Sequence, residues 1–150
     1  MSDTPPAVRI LPMDRRIEWA KYGGAEDIQQ KFFLDELRDR PDGHYLFREY
    51  GLEAKPGTVV LFQFDGRIIA SAAISKKAER FNQPDKDGYR GALYFDRHSI
   101  KVFHPVTAAA VSRIWPDFKG FGRAKWKLDP NQYPTFEREL KSVQTSGLQT

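Results

Sequence analysis

Apolar residues fall in short runs along the chain, and the two clearest are adjacent. TVVLFQF and RIIASAAIS flank Asp65-Gly66, two β-rich runs joined by a dipeptide that tolerates positive φ at both positions. This predicts a hairpin with a two-residue type I′ turn. Both runs are nearly continuous in apolar residues, so the pattern places them centrally in a barrel or sheet covered on both faces. Upstream, AVRIL over residues 7–11 reads as a short strand. From Ala25 to Arg40 the positions Ile28, Phe32, Phe33 and Leu37 form one stripe, with Glu26 and Asp27 in the first turn and Arg38 and Arg40 in the last, which predicts a helix matched to its dipole. Pro41-Asp42-Gly43 ends it, and in HYLFREY the alternation sets Tyr45 and Phe47 against Leu46 and Arg48, an extended stretch.

From Lys76 the run KKAERFNQPDKDG carries Pro and Gly and no apolar period, predicting a surface connection. GALYF and SIKVF follow as strand candidates separated by Asp96-Arg97-His98, arranged as a second hairpin. His104-Pro105 opens VTAAAVSRIW, where Val106, Ala110 and Ile114 fall four apart, so a helix is expected between Pro105 and Pro116. AKWKL can form a last strand. Asp129-Pro130-Asn131-Gln132 then has the arrangement of a capping box ahead of YPTFERELK. No internal repeat or linker is visible, so residues 1–150 form a single domain with flexible ends at 1–6 and 143–150.

Composition narrows the class. Hydrophobic residues make up 40% and charged residues 29% of the 150, a balance that suits a folded globular domain. No apolar run reaches the roughly 18 residues that span a bilayer, and MSDTPPAVR has neither the basic start nor the apolar stretch of a signal peptide, so the expectation is a cytoplasmic protein with no membrane partner. The chain has no cysteine, which removes disulfides, thiolate zinc sites and a cysteine nucleophile. The net charge of +4 is unevenly placed: Arg97 to Lys127 holds seven Lys/Arg against Asp117, whereas the first 60 residues hold nine bases and eleven acids. A polyanionic partner gripped by the C-terminal half is the corresponding expectation.

The stretch Lys55-Pro56-Gly57-Thr58 through Ala72, with glycine and a polar residue before an apolar strand, a turn and a second strand ending in small residues, resembles the central hairpin of the PUA-like superfamily, which includes the EVE, YTH and ASCH domains. SIKVFHPVTAAAVSRIWPDFKGFGRAKWKLDPNQYPTF is similar to the closing part of EVE-like domains found beside nucleases in bacterial defence proteins. The resemblance implies an α+β fold, a small mixed β-barrel of about five or six strands with flanking helices. It also implies a pocket for a base flipped from a duplex, often a modified base, with DNA favoured over RNA and a nuclease partner on another chain.

A planar base needs aromatic faces to stack on and polar groups to read its edge. Trp19, Tyr22, Trp115 and Trp126 are the aromatic candidates, with Gln63 and Ser71 for the edge. A core position is the alternative for Trp115 and Trp126, and the turn alone explains Asp65. Arg97, Lys101, Lys119, Arg123, Lys125 and Lys127 are the candidates for phosphate contact, with a solvated surface as the alternative. His44, His98 and His104 lack metal-ligand spacing, and no glycine-rich phosphate loop or serine elbow is present, so no cofactor or metal is expected. Two other readings stay open. One is a small ASCH-like hydrolase of modified nucleosides using Lys55, Thr58 and Glu53, and the other is a non-catalytic protein-interaction adaptor.

Overall fold

The computed structural model describes residues 4–13, 19–48, 52, 54–121 and 126–141. Strand β1 (Val8–Pro12) leads to helix α1, which starts as one α turn (Ala25–Asp27) and continues in π-helical form over Ile28–Leu37. The strands β2 (His44–Phe47), β3 (Val59–Phe64), β4 (Arg67–Arg80), β5 (Gly91–Phe95) and β6 (Lys101–Thr107) follow, then α2 (Ala108–Ile114), β7 (Lys127–Leu128) and α3 (Tyr133–Glu139). The seven strands among the described residues form one mixed sheet in the order β2-β5-β4-β3-β1-β7, with β6 also paired to β4. Only β1 and β3 run parallel. The expected α+β architecture with flanking helices is present, but the hydrogen-bonded path between the described strands does not close into a barrel.

The central hairpin forms as its sequence dictates. Asp65 and Gly66 have φ of 52° and 78°, the paired left-handed residues of a type I′ turn, and Phe64 pairs with Arg67 across it. Residues of β3 alternate between two cores: Val60, Phe62 and Phe64 pack in one with Phe33, Leu37 and Phe95, and Leu61 packs in the other with Phe103, Trp115 and Phe136. Helix α1 covers the first face, and α2 and α3 cover the second, as continuous apolar strands require.

The stripe Ile28, Phe32, Phe33 and Leu37 is buried against that first core. Two of its pairs, Ile28 with Phe33 and Phe32 with Leu37, are five residues apart, the repeat of the wider helix observed here. Tyr45 and Phe47 point inward from β2, matching the alternation.

Three expectations change. The polar run after Lys76 is not all connection: β4 continues to Arg80, and only the stretch from Phe81 to Arg90 is a loop. Strands β5 and β6 do not pair with each other. Both pair with β4, β6 beside Arg67–Ser71 and β5 beside Ile74–Arg80, so they lie end to end along one strand with the turn Arg97–Ser99 at their junction. The residues from Pro105 to Thr107 belong to β6, and α2 starts only at Ala108, capped by the Thr107 hydroxyl, which accepts from the Ala110 amide at 3.2 Å.

Pro105 is tolerated because β6 is irregular there. Ile68 pairs with Val106 and Ala70 with Val102, leaving Phe103, His104 and Pro105 opposite Ile69 alone. Gln29 of α1 supplies what this bulge removes, its Nε2 donating to the carbonyls of Ile69 at 2.8 Å and Phe103 at 2.7 Å. The C-terminal cap differs in detail from a capping box. Asp129 accepts from the Asn131 amide at 2.9 Å and starts a 3₁₀ turn (Pro130–Gln132), after which α3 begins at Tyr133.

Candidate nucleic-acid interface

Between the segment preceding α1, strand β2 and the β4–β5 loop lies a cavity of about 150 Å³, whose walls are mainly aromatic. Trp19 forms its base, 6% exposed. Its ring stacks on Tyr22 (5.8 Å between centroids, 30° between planes) and on Tyr45 (6.2 Å, 24°), and meets Phe32 edge-on at 4.6 Å. Each wall has its own origin in the chain: Phe32 comes from the buried stripe of α1, Tyr45 from the inward face of β2, and Tyr89 from the loop. Gly23 and Gly24 follow Tyr22, and α1 starts at once, where the Asp27 carboxylate accepts from the Gly23 amide at 2.9 Å and pairs with Lys31 at 3.1 Å. That amide, followed by Lys31, holds the Asp27 carboxyl below its usual range.

Cations ring the aromatic walls. Lys21 lies 5.3 Å from the Tyr22 ring centroid, Arg40 lies 5.1 Å from that of Phe32, and Arg48 lies 4.3 Å from that of Tyr89. The two guanidinium groups are also tied to backbone: Arg40 donates to the His44 carbonyl at 3.1 Å and Arg48 to the Asp87 carbonyl. No carboxylate lines the cavity among the described residues. Glu36, the acid beside it, is engaged by the Tyr22 hydroxyl at 2.7 Å. Burial first, then the hydrogen bond and charge of Glu36, push the Tyr22 phenol far above its ordinary pKa, so it stays a neutral donor. Flat faces for stacking with forked cations at the rim are what a nucleobase and its flanking phosphates require.

The residues singled out in the sequence separate. Trp19 and Tyr22 come together here. Trp115 is a core residue, its Nε1 donating to the Asp129 carbonyl at 2.8 Å and its ring 5.3 Å from Phe136. Trp126 is half-buried against Phe118 at 5.2 Å and donates to the Gly120 carbonyl at 2.8 Å. Gln63 is buried on β3, and Ser71, buried on β4, is hydrogen-bonded with Tyr133 in a separate cavity.

The basic run is dispersed as well. Arg97 sits in the β5–β6 turn and donates to the Arg38 carbonyl at 3.1 Å, Lys101 on β6 pairs with Glu137, and Lys119 is exposed after α2. Lys127 is on β7, at the far end of the strand order, and Arg123 and Lys125 lie outside the described residues. Of the hydrolase set, Lys55 is exposed, Thr58 is fully buried, and Glu53 lies outside the described residues.

Sequence reading missed Phe32, Tyr45 and Tyr89 as walls, and Lys21, Arg40 and Arg48 as cations. Phe32 and Tyr45 read as core positions, and the three cations sit in a region whose acids outnumber its bases. Among the described residues, no helix is long and apolar enough to cross a membrane. In the same set, no three His, Asp or Glu side chains are grouped to hold a metal ion.

No family model matches the chain, and no curated protein matches it in sequence. Solved structures do match in fold. The ASCH protein of Zymomonas mobilis superposes with a TM-score of 0.56 at 10% identity, covering 91% of this chain and 98% of its own. A point mutant of that ASCH protein gives 0.54 at 8% identity, covering 89% and 99%. The YTH domain of the Zygosaccharomyces rouxii MRB1 protein, solved in complex with N6-methyladenosine RNA, gives 0.50 at 16% identity, covering 97% and 95%. The likeness runs nearly end to end in each case, and the chain therefore shares the α+β fold of these ASCH and YTH domains.

Proposed function

We propose that this chain is a nucleic-acid-binding domain that takes a single base into the Trp19 cavity and holds the adjoining backbone with Lys21, Arg40 and Arg48. The observation that carries the reading is a base-sized cavity of about 150 Å³ with aromatic walls, ringed by three cations and lined by no described carboxylate. The YTH neighbour, solved in complex with N6-methyladenosine RNA, supports a nucleic-acid-binding role for this fold. The base is bound out of its stack, and a modified base is the favoured ligand because the PUA-like resemblance implies one. DNA is the strand that the EVE-like resemblance implies, and a role in defence beside a nuclease belongs to the same proposal.

Fluorescence anisotropy with labelled single- and double-stranded DNA and RNA, with and without methylated or hydroxymethylated bases, tests it across a salt series. Selectivity for one modified oligonucleotide supports the reading. With three cations on the backbone, the logarithm of affinity should fall against the logarithm of salt with a slope of about −2 to −3. Absence of binding at low salt would overturn it.

A further inference from the structure

A second cavity, of about 830 Å³, shares no lining residue with the base pocket. Its floor is apolar, with Phe47 of β2, Leu52 and Ala78, and its rim carries Lys55, Lys77 and Arg80. The rim is assembled by a bulge. Lys76 pairs with Tyr94 and Glu79 with Ala92, so Lys77 and Ala78 together oppose Leu93. Lys77 and Arg80 are three positions apart and would face opposite sides of a regular strand. The extra residue brings both onto the one cavity.

The neighbouring charges are used elsewhere. Lys76 pairs with Asp42 at 3.1 Å, and Glu79 accepts from the Tyr94 hydroxyl, so the bulge sorts two cations toward the cavity and leaves the acid outside it. No carboxylate lines the cavity among the described residues. An apolar floor with cations confined to the rim suits a ligand that is planar and apolar at one end and anionic at the other.

We propose that this cavity binds a nucleotide through its phosphate, either a free mononucleotide or one unit of a strand. Lys55, Lys77 and Arg80 take the phosphate, and the base lies against Phe47 and Leu52. Phe47 ends β2, Arg48 follows it directly, and the two line different cavities, so a strand reaching both would cross this sheet edge.

The test measures binding of a labelled adenosine 5′-monophosphate, of adenosine, and of a labelled oligonucleotide to the intact chain. The comparison variants are K77Q/R80Q and, as a charge-matched control, R113Q/K141Q, whose residues are exposed around a cavity by α2 and α3. Thermal melting confirms that each variant is folded. The expected result is that adenosine binds at least tenfold more weakly than the monophosphate, that K77Q/R80Q loses at least tenfold in affinity, and that the control does not. If the site serves a strand instead of a free nucleotide, the same loss appears with the oligonucleotide and not with the monophosphate. K77Q/R80Q matching the intact chain on both probes would overturn the proposal, whereas loss of modified-base selectivity alone would bear only on the Trp19 pocket.

Discussion

The Tyr22 hydroxyl donates to Glu36 Oε2 across 2.7 Å, tying the segment ahead of α1 to the last turns of that helix. The bond holds Tyr22, whose ring stacks on Trp19, and also occupies a carboxylate beside the proposed base pocket. Tyr22→Phe should preserve the ring and release the acid, lowering nucleic-acid affinity severalfold, and Glu36→Gln should raise it. Anisotropy at low salt, where the uncompensated charge is screened least, separates the two signs.

Tyr22→Ala removes a stacking face at the mouth of the cavity and should cost about 1–3 kcal/mol of base binding. The loss should fall on the preferred base most, flattening selectivity. Trp19→Ala is a poorer probe of the same question. Its ring is buried among Tyr22, Phe32 and Tyr45, and deleting it should destabilise the domain by about 3–5 kcal/mol, which a thermal melt would show.

Arg48→Gln should weaken all sequences together and lower the salt slope by about 1, because a phosphate contact carries no base information. It also releases the β4–β5 loop, since the guanidinium covers Tyr89 and reaches the Asp87 carbonyl. Hydrogen exchange at the amides from Phe81 to Arg90 should speed up. Lys127→Glu, on β7, is the comparison: a larger effect there than at Arg48 would transfer the backbone contact to the C-terminal basic run.

Gln29→Ala leaves the carbonyls of Ile69 and Phe103 without their side-chain donor inside the bulge of β6. Two buried acceptors losing their partner should cost about 2–4 kcal/mol. Chemical denaturation reads this as a lower midpoint with an unchanged slope.

Tyr133 is buried beside Glu137, and burial foremost, with that charge, pushes its phenol up to about 12. An unfolded tyrosine ionises near 10, so between pH 10 and about 12 the unfolded chain holds fewer protons than the folded one. Stability should therefore fall as pH rises through that window, this group's share being fully present and independent of pH below it. Tyr133→Phe should blunt the fall, and tyrosinate absorbance during alkaline titration follows the group directly.

Much of the fold was legible because local chemistry and tertiary demand agree. Asp65-Gly66 has one good use, the apolar stripe of α1 has one face, and Tyr45 and Phe47 alternate cleanly. Legibility failed where an extra residue broke the period. The bulge at Lys77 and Ala78 disguises the end of β4 as loop, and the irregularity around Pro105 made the end of β6 read as the start of a helix. The candidate site was half visible: Trp19 and Tyr22 stood apart from any apolar pattern. Arg40 was hidden by Asp39 and Asp42, which neighbour it in sequence and do not line the cavity, Arg48 by the acidic balance of the first 60 residues, and Tyr89 joins only through the β4–β5 loop.

Strand β4 gives both cores a common member. Ile69, Ala70, Ala72 and Ile74 pack in one, and Ile68 packs in the other. Because β5 and β6 share its edge and β3 takes the opposite one, neither core can melt while its neighbour keeps this strand in place. The molecule should behave as one cooperative unit, giving a single calorimetric transition whose van't Hoff and measured enthalpies agree. Its folding should be slow for its size, since the pairing of β1 with β3 closes a long loop before any contact rewards it.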